Sequence, residues 1–174
     1  IVDIHVQRYL HDKVMETGQW KFLRDVSGVE NQTYPSHGFV HLMKHPKMEG
    51  RGLYGIMKQS LMPAMEKILG IPVNDDTNYY NRAFLQLPLA SAYQKEHNGI
   101  HVDLPADKPH VACVYYVNGS DGDTVIYENR IGGDMLSLVE HRRVTPKRGR
   151  MVFFDGSRYH CSSQPTINYR CIIN

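Results

Sequence analysis

The stretch 101-HVDLPADKPHVACVYYVN-118 joins a His-x-Asp tripeptide to a run of strand-forming residues. In an extended segment, residues i and i+2 point to the same face. His101 and Asp103 can therefore present an imidazole and a carboxylate side by side. Working outward, His160 follows the strand-like Arg150-Met151-Val152-Phe153-Phe154 and the turn Asp155-Gly156. Two imidazoles and one carboxylate leave coordination positions open. That donor set suits iron better than a closed structural zinc site, which favours thiolates. Ten residues further on, Arg170 offers a planar fork that can clamp a carboxylate cosubstrate through two parallel hydrogen bonds.

Each element also has a plainer reading. A lone His-x-Asp arises readily by chance among 10 histidines, as short motifs do. His160 alone could be an ordinary loop histidine, and Arg170 alone a surface cation on a terminal strand. Order, spacing and flanking strands together favour a metal centre.

From residue 79 onward the chain consists of short runs rich in Val, Tyr, Phe and Ile, divided by Gly, Asp and Asn turns. This pattern predicts strands near 80–88, 110–117, 123–128, 135–139, 150–154 and 167–173. Many short strands suggest a sandwich or jelly roll. The first third reads differently. Residues 9–24 could hold a helix broken at Gly18. Residues 54–69 carry Ile56, Leu61, Met65, Ile68 and Leu69 on one helical stripe. Pro63 would start or kink the second half, and Gly70 with Pro72 beyond would stop it. The expectation is one α+β domain over 1–174, with helical support in 1–78 and a β core in 79–174.

Composition excludes several function classes. Hydrophobic residues make up 41% and charged residues 22%, ordinary for a globular chain, and the formal net charge is +2. There is no strong electrostatic signal for nucleic acid. The locally basic segments 141–143 and 147–150 read as solvated strands and their connection. Cys113, Cys161 and Cys171 are an odd number without Cys-x-x-Cys spacing, so free thiols and a reducing, intracellular (cytoplasmic) compartment are expected. No apolar run is long enough to span a bilayer, and no signal-peptide pattern opens the sequence. His37, His41 and His45 would align on a helix, but Pro35, Gly38 and Pro46 argue against one. A solvent-facing or partner-contacting segment is expected there. The polar loops 27–36 and 118–123 are expected as lids.

Six elements occur in an order that resembles the Fe(II)/2-oxoglutarate-dependent dioxygenases, in particular their prolyl 4-hydroxylase-like branch. They are His101-Val102-Asp103, then Cys113-Val114-Tyr115-Tyr116-Val117-Asn118, then Asp121-Gly122-Asp123-Thr124. Pro146-Lys147-Arg148-Gly149-Arg150-Met151-Val152-Phe153-Phe154-Asp155, His160 and Arg170 complete the order. The resemblance covers roughly positions 80 to 174. The family's Gly-Gly-Glu-Thr turn reads Asp121-Gly122-Asp123-Thr124 here, and its common lysine is Arg170, as in small phage and bacterial members.

That resemblance implies a double-stranded β-helix (a cupin-like jelly roll) with helices packed outside. It implies Fe(II) held by His101, Asp103 and His160, and 2-oxoglutarate and O2 as cosubstrates, with ascorbate as a candidate reductant. Arg170 would hold the distal carboxylate of 2-oxoglutarate, with a hydrogen bond from Tyr116 and a polar contact from Gln86. Tyr116 could equally fill a barrel interior, and Gln86 could be an inward polar residue without a role in the reaction. The implied activity is hydroxylation of an unactivated C–H bond, with release of succinate and CO2. The implied substrate is a peptide, a protein or a small molecule, with a peptidyl prolyl group favoured. The rival readings are a cupin-like metalloenzyme that does not use 2-oxoglutarate and a non-catalytic jelly-roll binding module. The first would not need Arg170 or Tyr116, and the second would tolerate loss of a metal ligand, of which none is lost here.

Overall fold

The computed structural model describes residues 2–24, 37–44, 53–78, 80–89 and 97–174. Among these, three helices and nine strands are formed. Helix α1 (Ile4–Thr17) starts at Asp3, whose carboxylate accepts the His5 backbone N–H at 2.8 Å. Such a cap satisfies one of the unpaired N–H groups of the first turn. Helices α2 (Leu53–Ser60) and α3 (Met62–Leu69) divide the apolar stripe read from the sequence. Pro63 sits in the first turn of α3, where its missing N–H is harmless. Gly70 closes α3 in the left-handed conformation at φ 68°, donating its N–H to the Glu66 carbonyl.

The strands are β1 (Lys21–Leu23), β2 (Gly38–Lys44), β3 (Asn81–Gln86), β4 (Val111–Tyr116), β5 (Thr124–Arg130), β6 (Glu140–Val144), β7 (Met151–Asp155), β8 (Arg158–Ser162) and β9 (Arg170–Ile173). They form two antiparallel sheets: a six-stranded one ordered β1-β2-β3-β9-β4-β7 and a three-stranded one ordered β6-β5-β8.

Period-two alternation sorts the six-stranded sheet into two faces. Ala83, Tyr115, Val117, Cys171 and Ile173 pack under the helices against Leu10, Val14, Met57 and Leu61. Their neighbours along the same strands, Phe84, Val114, Tyr116 and Ile172, form a separate apolar cluster on the other face. Arg82, Gln86 and Arg170 share that second face by the same alternation. The three cysteines are free thiols. Burial pushes Cys113 and Cys171 up to about 12 and Cys161 up to about 11.

Several expectations need correction. The 1–78 segment is not only helical support, because β1 and β2 extend the larger sheet beside β3. The strand expected at 135–139 lies instead at Glu140–Val144, four of whose five residues are exposed. An exposed edge strand carries no apolar alternation, so the pattern did not mark it. Residues 131–139 form the preceding connection, with Leu136 98% exposed at its tip. Strand β8 carries no apolar alternation on one of its faces either, because Arg158, His160 and Ser162 alternate there, His160 and Ser162 lining a cavity and Arg158 reaching Glu128. His41 is buried in β2 rather than solvent-facing, with its Nδ1 3.0 Å from the Gln19 N–H. His37 is exposed and stacks on Phe22. His45 and the expected lid 27–36 lie outside the described residues.

The expected lid at 118–123 is a brace. The Asp121 carboxylate accepts the Thr166, Ile167 and Asn168 backbone N–H groups and the Thr166 hydroxyl, at 2.5 to 3.1 Å. Asn118 accepts the Cys171 N–H and donates to the Tyr169 carbonyl. These bonds fix the approach to β9, and hence Arg170. At Gly122, an added Cβ would lie 3.0 Å from the Arg170 Cδ and 3.1 Å from the Ser163 carbonyl. The site needs glycine for close approach of backbone to side chain.

Candidate metal centre and its cavity

His101, Asp103 and His160 converge. Each offers one ligand atom, and these atoms lie within 4.8 Å of one another. An isolated antiparallel bridge brings the first and third together: the His101 N–H donates to the His160 carbonyl at 3.0 Å, and the His160 N–H returns the bond at 2.9 Å. The two rings lie 4.6 Å apart. Two residues on, Asp103 turns its carboxylate back toward them. Its Oδ2 stands 3.4 Å from the His160 Nε2, and its Oδ1 stands 4.0 Å from the His101 Nε2.

The rings are oriented for a metal. His101 Nδ1 lies 2.8 Å from the Gly99 carbonyl, and His160 Nδ1 lies 3.1 Å from the Arg158 carbonyl. A carbonyl only accepts, so Nδ1 carries the hydrogen in both rings. Each Nε2 lone pair is then free for a cation, the arrangement that metal-ligating histidines favour. Burial, and then the charge of His160, pull the His101 pKa below the usual histidine value, against the Gly99 bond and Asp103. Burial alone would raise the Asp103 carboxyl. When the rings are protonated, the hydrogen bond from His160 and the charges of His160, His101 and Arg82 outweigh it and hold the group well below the carboxylate range, and a cation at the Nε2 atoms would take the place of those protons. Neutral imidazole beside ionised carboxylate is the state that ligates. The donor set present, two nitrogens and one oxygen, fits ferrous iron.

One cavity, of about 60 Å³, links this cluster to Arg170 and Gln86. Strand register places them opposite each other, Gln86 on β3 pairing with Arg170 on β9. The Arg170 guanidinium is buried. Its Nε donates to the Gly122 carbonyl at 2.9 Å, Nη1 to the Gln86 Oε1 at 3.1 Å, and Nη2 to the Thr124 Oγ1 at 2.9 Å. Every one of these partners is neutral. Among the described residues no carboxylate lies within ion-pairing distance of Arg170. Burial pulls its pKa down from the ordinary arginine value, yet a guanidinium stays protonated in proteins. A buried cation without an anion is costly, and a carboxylate entering the cavity would supply the missing charge.

Tyr116 reaches Thr124, at the edge of this cavity. Its hydroxyl donates to the Thr124 Oγ1 at 2.7 Å, and Tyr116 is not among the residues lining the cavity. Thr124 does line it. That Oγ1 accepts from both Tyr116 and Arg170, which leaves its own hydrogen for a further acceptor. Sequence reasoning passed over Thr124, Asn98, Ser162 and Arg82, all of which line the cavity. Asn98 donates to the Ser162 Oγ at 2.7 Å, and Ser162 lies 3.3 Å from the Gln86 side chain. Thr124 could have been noticed as the end of the Asp121-Gly122-Asp123-Thr124 turn. Arg82, Asn98 and Ser162 carry no such local signal.

A second, larger groove of about 1100 Å³ shares Arg82, Asp103 and Asn174 with this cavity. It is lined in part by Leu69, Tyr80, Leu104 and Val111.

Neither a family profile nor a curated protein matches this sequence. Solved structures do. A 2OG-Fe(II) oxygenase family oxidoreductase from Burkholderia pseudomallei superposes with a TM-score of 0.65 at 11% identity, over 98% of this chain and 77% of that one. A prolyl-4-hydroxylase from Pseudomonas putida superposes with a TM-score of 0.58 at 18% identity, over 99% of this chain and 86% of that one. The chain therefore shares the fold of the 2OG-Fe(II) oxygenases.

Proposed function

We propose that this protein is an Fe(II)- and 2-oxoglutarate-dependent dioxygenase that hydroxylates an unactivated C–H bond, and that its two sheets close as a double-stranded β-helix. The observation that carries this reading is the buried Arg170, with no carboxylate partner among the described residues, in one cavity with the His101–Asp103–His160 cluster. A cupin-like enzyme that does not use a dicarboxylate has no need of that cation.

In this reading the His101 and His160 Nε2 atoms and the Asp103 carboxylate hold iron, which supplies the means of activating O2. Arg170 pairs with the distal carboxylate of 2-oxoglutarate, and Thr124 donates its free hydroxyl hydrogen to the same group. Tyr116 keeps that hydroxyl turned toward the cavity by donating to its oxygen. Gln86 holds the Arg170 fork from the opposite strand. Phe84, Val114 and Ile172 supply an apolar wall that limits water around the ion pair, which strengthens it. The larger groove beside Asp103 would receive the substrate, with Asp103 and Arg82 shared between that groove and the cavity of Arg170. The products are the hydroxylated substrate, succinate and CO2.

A peptidyl prolyl group is the substrate favoured by the likeness to the Pseudomonas putida prolyl-4-hydroxylase. An intracellular location is supported by the three free thiols. Among the described residues no helix is long and apolar enough to cross a membrane.

The test is anaerobic titration of the Fe(II)-loaded protein with 2-oxoglutarate. A weak visible charge-transfer band is expected when both bind at one centre, followed in air by succinate release. Absence of the band and of succinate would overturn the reading.

A further inference from the structure

Arg82 lies on the face of β3 that carries Phe84 and Gln86, and its guanidinium is held from four directions. Residues at i−2 and i+2 flank it: its Cζ lies 5.1 Å from the Tyr80 ring centre and 4.5 Å from the Phe84 ring centre. Nε donates to the Asn174 Oδ1 at 3.4 Å. Nη2 donates to the Asp103 Oδ1 at 3.1 Å. Arg82 lines both the cavity that leads to Arg170 and the larger groove, as Asp103 does.

The two oxygens of Asp103 therefore face different neighbours. Oδ1 accepts from Arg82, while Oδ2 is the one nearer the His160 Nε2, at 3.4 Å. A carboxylate free to turn about its Cβ–Cγ bond can present one oxygen or both to a metal. One held at Oδ1 by a cation, itself fixed between two rings and the Asn174 amide, has lost that freedom. An aromatic sandwich suits a guanidinium, which stacks on ring faces and is weakly hydrated.

We infer that Arg82 is a positioning residue of the metal centre, which anchors one oxygen of Asp103 so that the carboxylate ligates through the other alone. The inference rests on the metal-centre reading proposed above. One-oxygen ligation keeps coordination positions open for the two oxygens of a 2-oxo acid and for O2. It also makes Arg82 a residue shared by cosubstrate cavity and substrate groove, so that the residue setting the ligand geometry is touched from both.

The test uses the whole protein and Co(II) alone, whose visible absorption reports coordination number and geometry. Partners that orient metal ligands typically contribute 10- to 100-fold in metal affinity. Arg82→Gln is expected to weaken Co(II) binding by about 10-fold or more and to shift the Co(II) spectrum, with the metal-free thermal midpoint recorded alongside. Arg82→Lys keeps the charge without the fork and is expected to fall between the two, which also guards against a Gln variant that does not fold. A purely structural Arg82 would lower the metal-free thermal midpoint and leave Co(II) affinity and spectrum as in the wild type. That result, in whichever variant folds, would overturn the positioning role alone. A wild-type protein that takes up no Co(II) would overturn the metal-centre reading itself, and this inference with it.

Discussion

His101 and His160 exchange both of their backbone hydrogen bonds, at 3.0 and 2.9 Å, although they stand far apart in sequence. In an antiparallel pair such opposite residues project their side chains to one face. The bridge thus does for the two imidazoles what the i, i+2 rule does for His101 and Asp103. It is a single bridge rather than a ladder, so the site is assembled at the point where segment 97–103 meets β8. Asn98 adds to the same junction by donating its backbone N–H to the Ser162 carbonyl at 2.7 Å.

Replacing His101, Asp103 or His160 by Ala is expected to abolish tight Fe(II) binding, with far-ultraviolet circular dichroism unchanged. The side chains point into a cavity, while the backbone bridge that carries them survives the truncation. Calorimetric titration with Fe(II) under nitrogen is the check. Wild-type affinity in all three variants would reject the assignment.

Arg170→Ala removes the fork facing the proposed cosubstrate carboxylate. Truncating one partner of a buried charge pair costs about 2–5 kcal/mol, and about 1.4 kcal/mol corresponds to tenfold. The expected loss in 2-oxoglutarate affinity is therefore about 30-fold or more, with Fe(II) binding retained. Arg170→Lys should be milder but still impaired, since an ammonium keeps the charge and loses the planar geometry. Anaerobic 2-oxoglutarate titration measures both.

Thr124→Val should weaken 2-oxoglutarate binding more than Tyr116→Phe. Valine removes the hydrogen aimed at the cavity and also the oxygen that accepts from Arg170 and Tyr116. Phenylalanine removes one orienting bond, worth about 1 kcal/mol. Equal dissociation constants for the two variants would place the tyrosine, and not the threonine, in contact with the ligand.

Asp121 makes the stability of the β9 approach depend on pH. Burial would raise its carboxyl, but the Thr166 hydroxyl and the Asn168 and Thr166 backbone N–H groups outweigh it and lower the pKa to about 2, against a usual 3.8. A depressed folded pKa means stabilisation that is fully present above the unfolded value and lost as pH falls through the folded one. Asp121→Asn should therefore lower the thermal midpoint at pH 6, and the gap to wild type should close as pH falls from about 4 toward 2. Thermal melts of both proteins across that range give the comparison. A gap that stays constant would assign the effect to packing and not to the charge.

The three thiols should be silent in metal binding. Cys113→Ser, Cys161→Ser and Cys171→Ser are each expected to bind Fe(II) as the wild type does, and intact mass should show three reduced thiols. Loss of Fe(II) binding in the Cys161 variant would be the informative failure, because that residue follows His160 and lines the cavity.

What the sequence determined by itself is local. The alternation of His101 and Asp103, the apolar runs of β3, β4, β7 and β9, the proline start of α3 and its glycine stop all follow from spacing and backbone preference over a few residues. The candidate metal cluster His101, Asp103 and His160, which the fold brings together, stood out in the sequence because few residue types ligate iron, and the carboxylate-binding role proposed for Arg170 rests on the same scarcity. The tertiary structure decided everything that depends on which segments meet. It placed β1 and β2 in the larger sheet, moved the expected 135–139 strand to the charged edge at Glu140–Val144, and made β8 a strand despite the polar side chains on one of its faces. It turned 118–123 from a lid into a brace, and it set Thr124 between Tyr116 and Arg170. It also brought Arg82 to Asp103, across 21 positions of chain. The reason is physical: a polar residue facing a cavity and one facing solvent look alike in sequence, and only the register between strands distinguishes them.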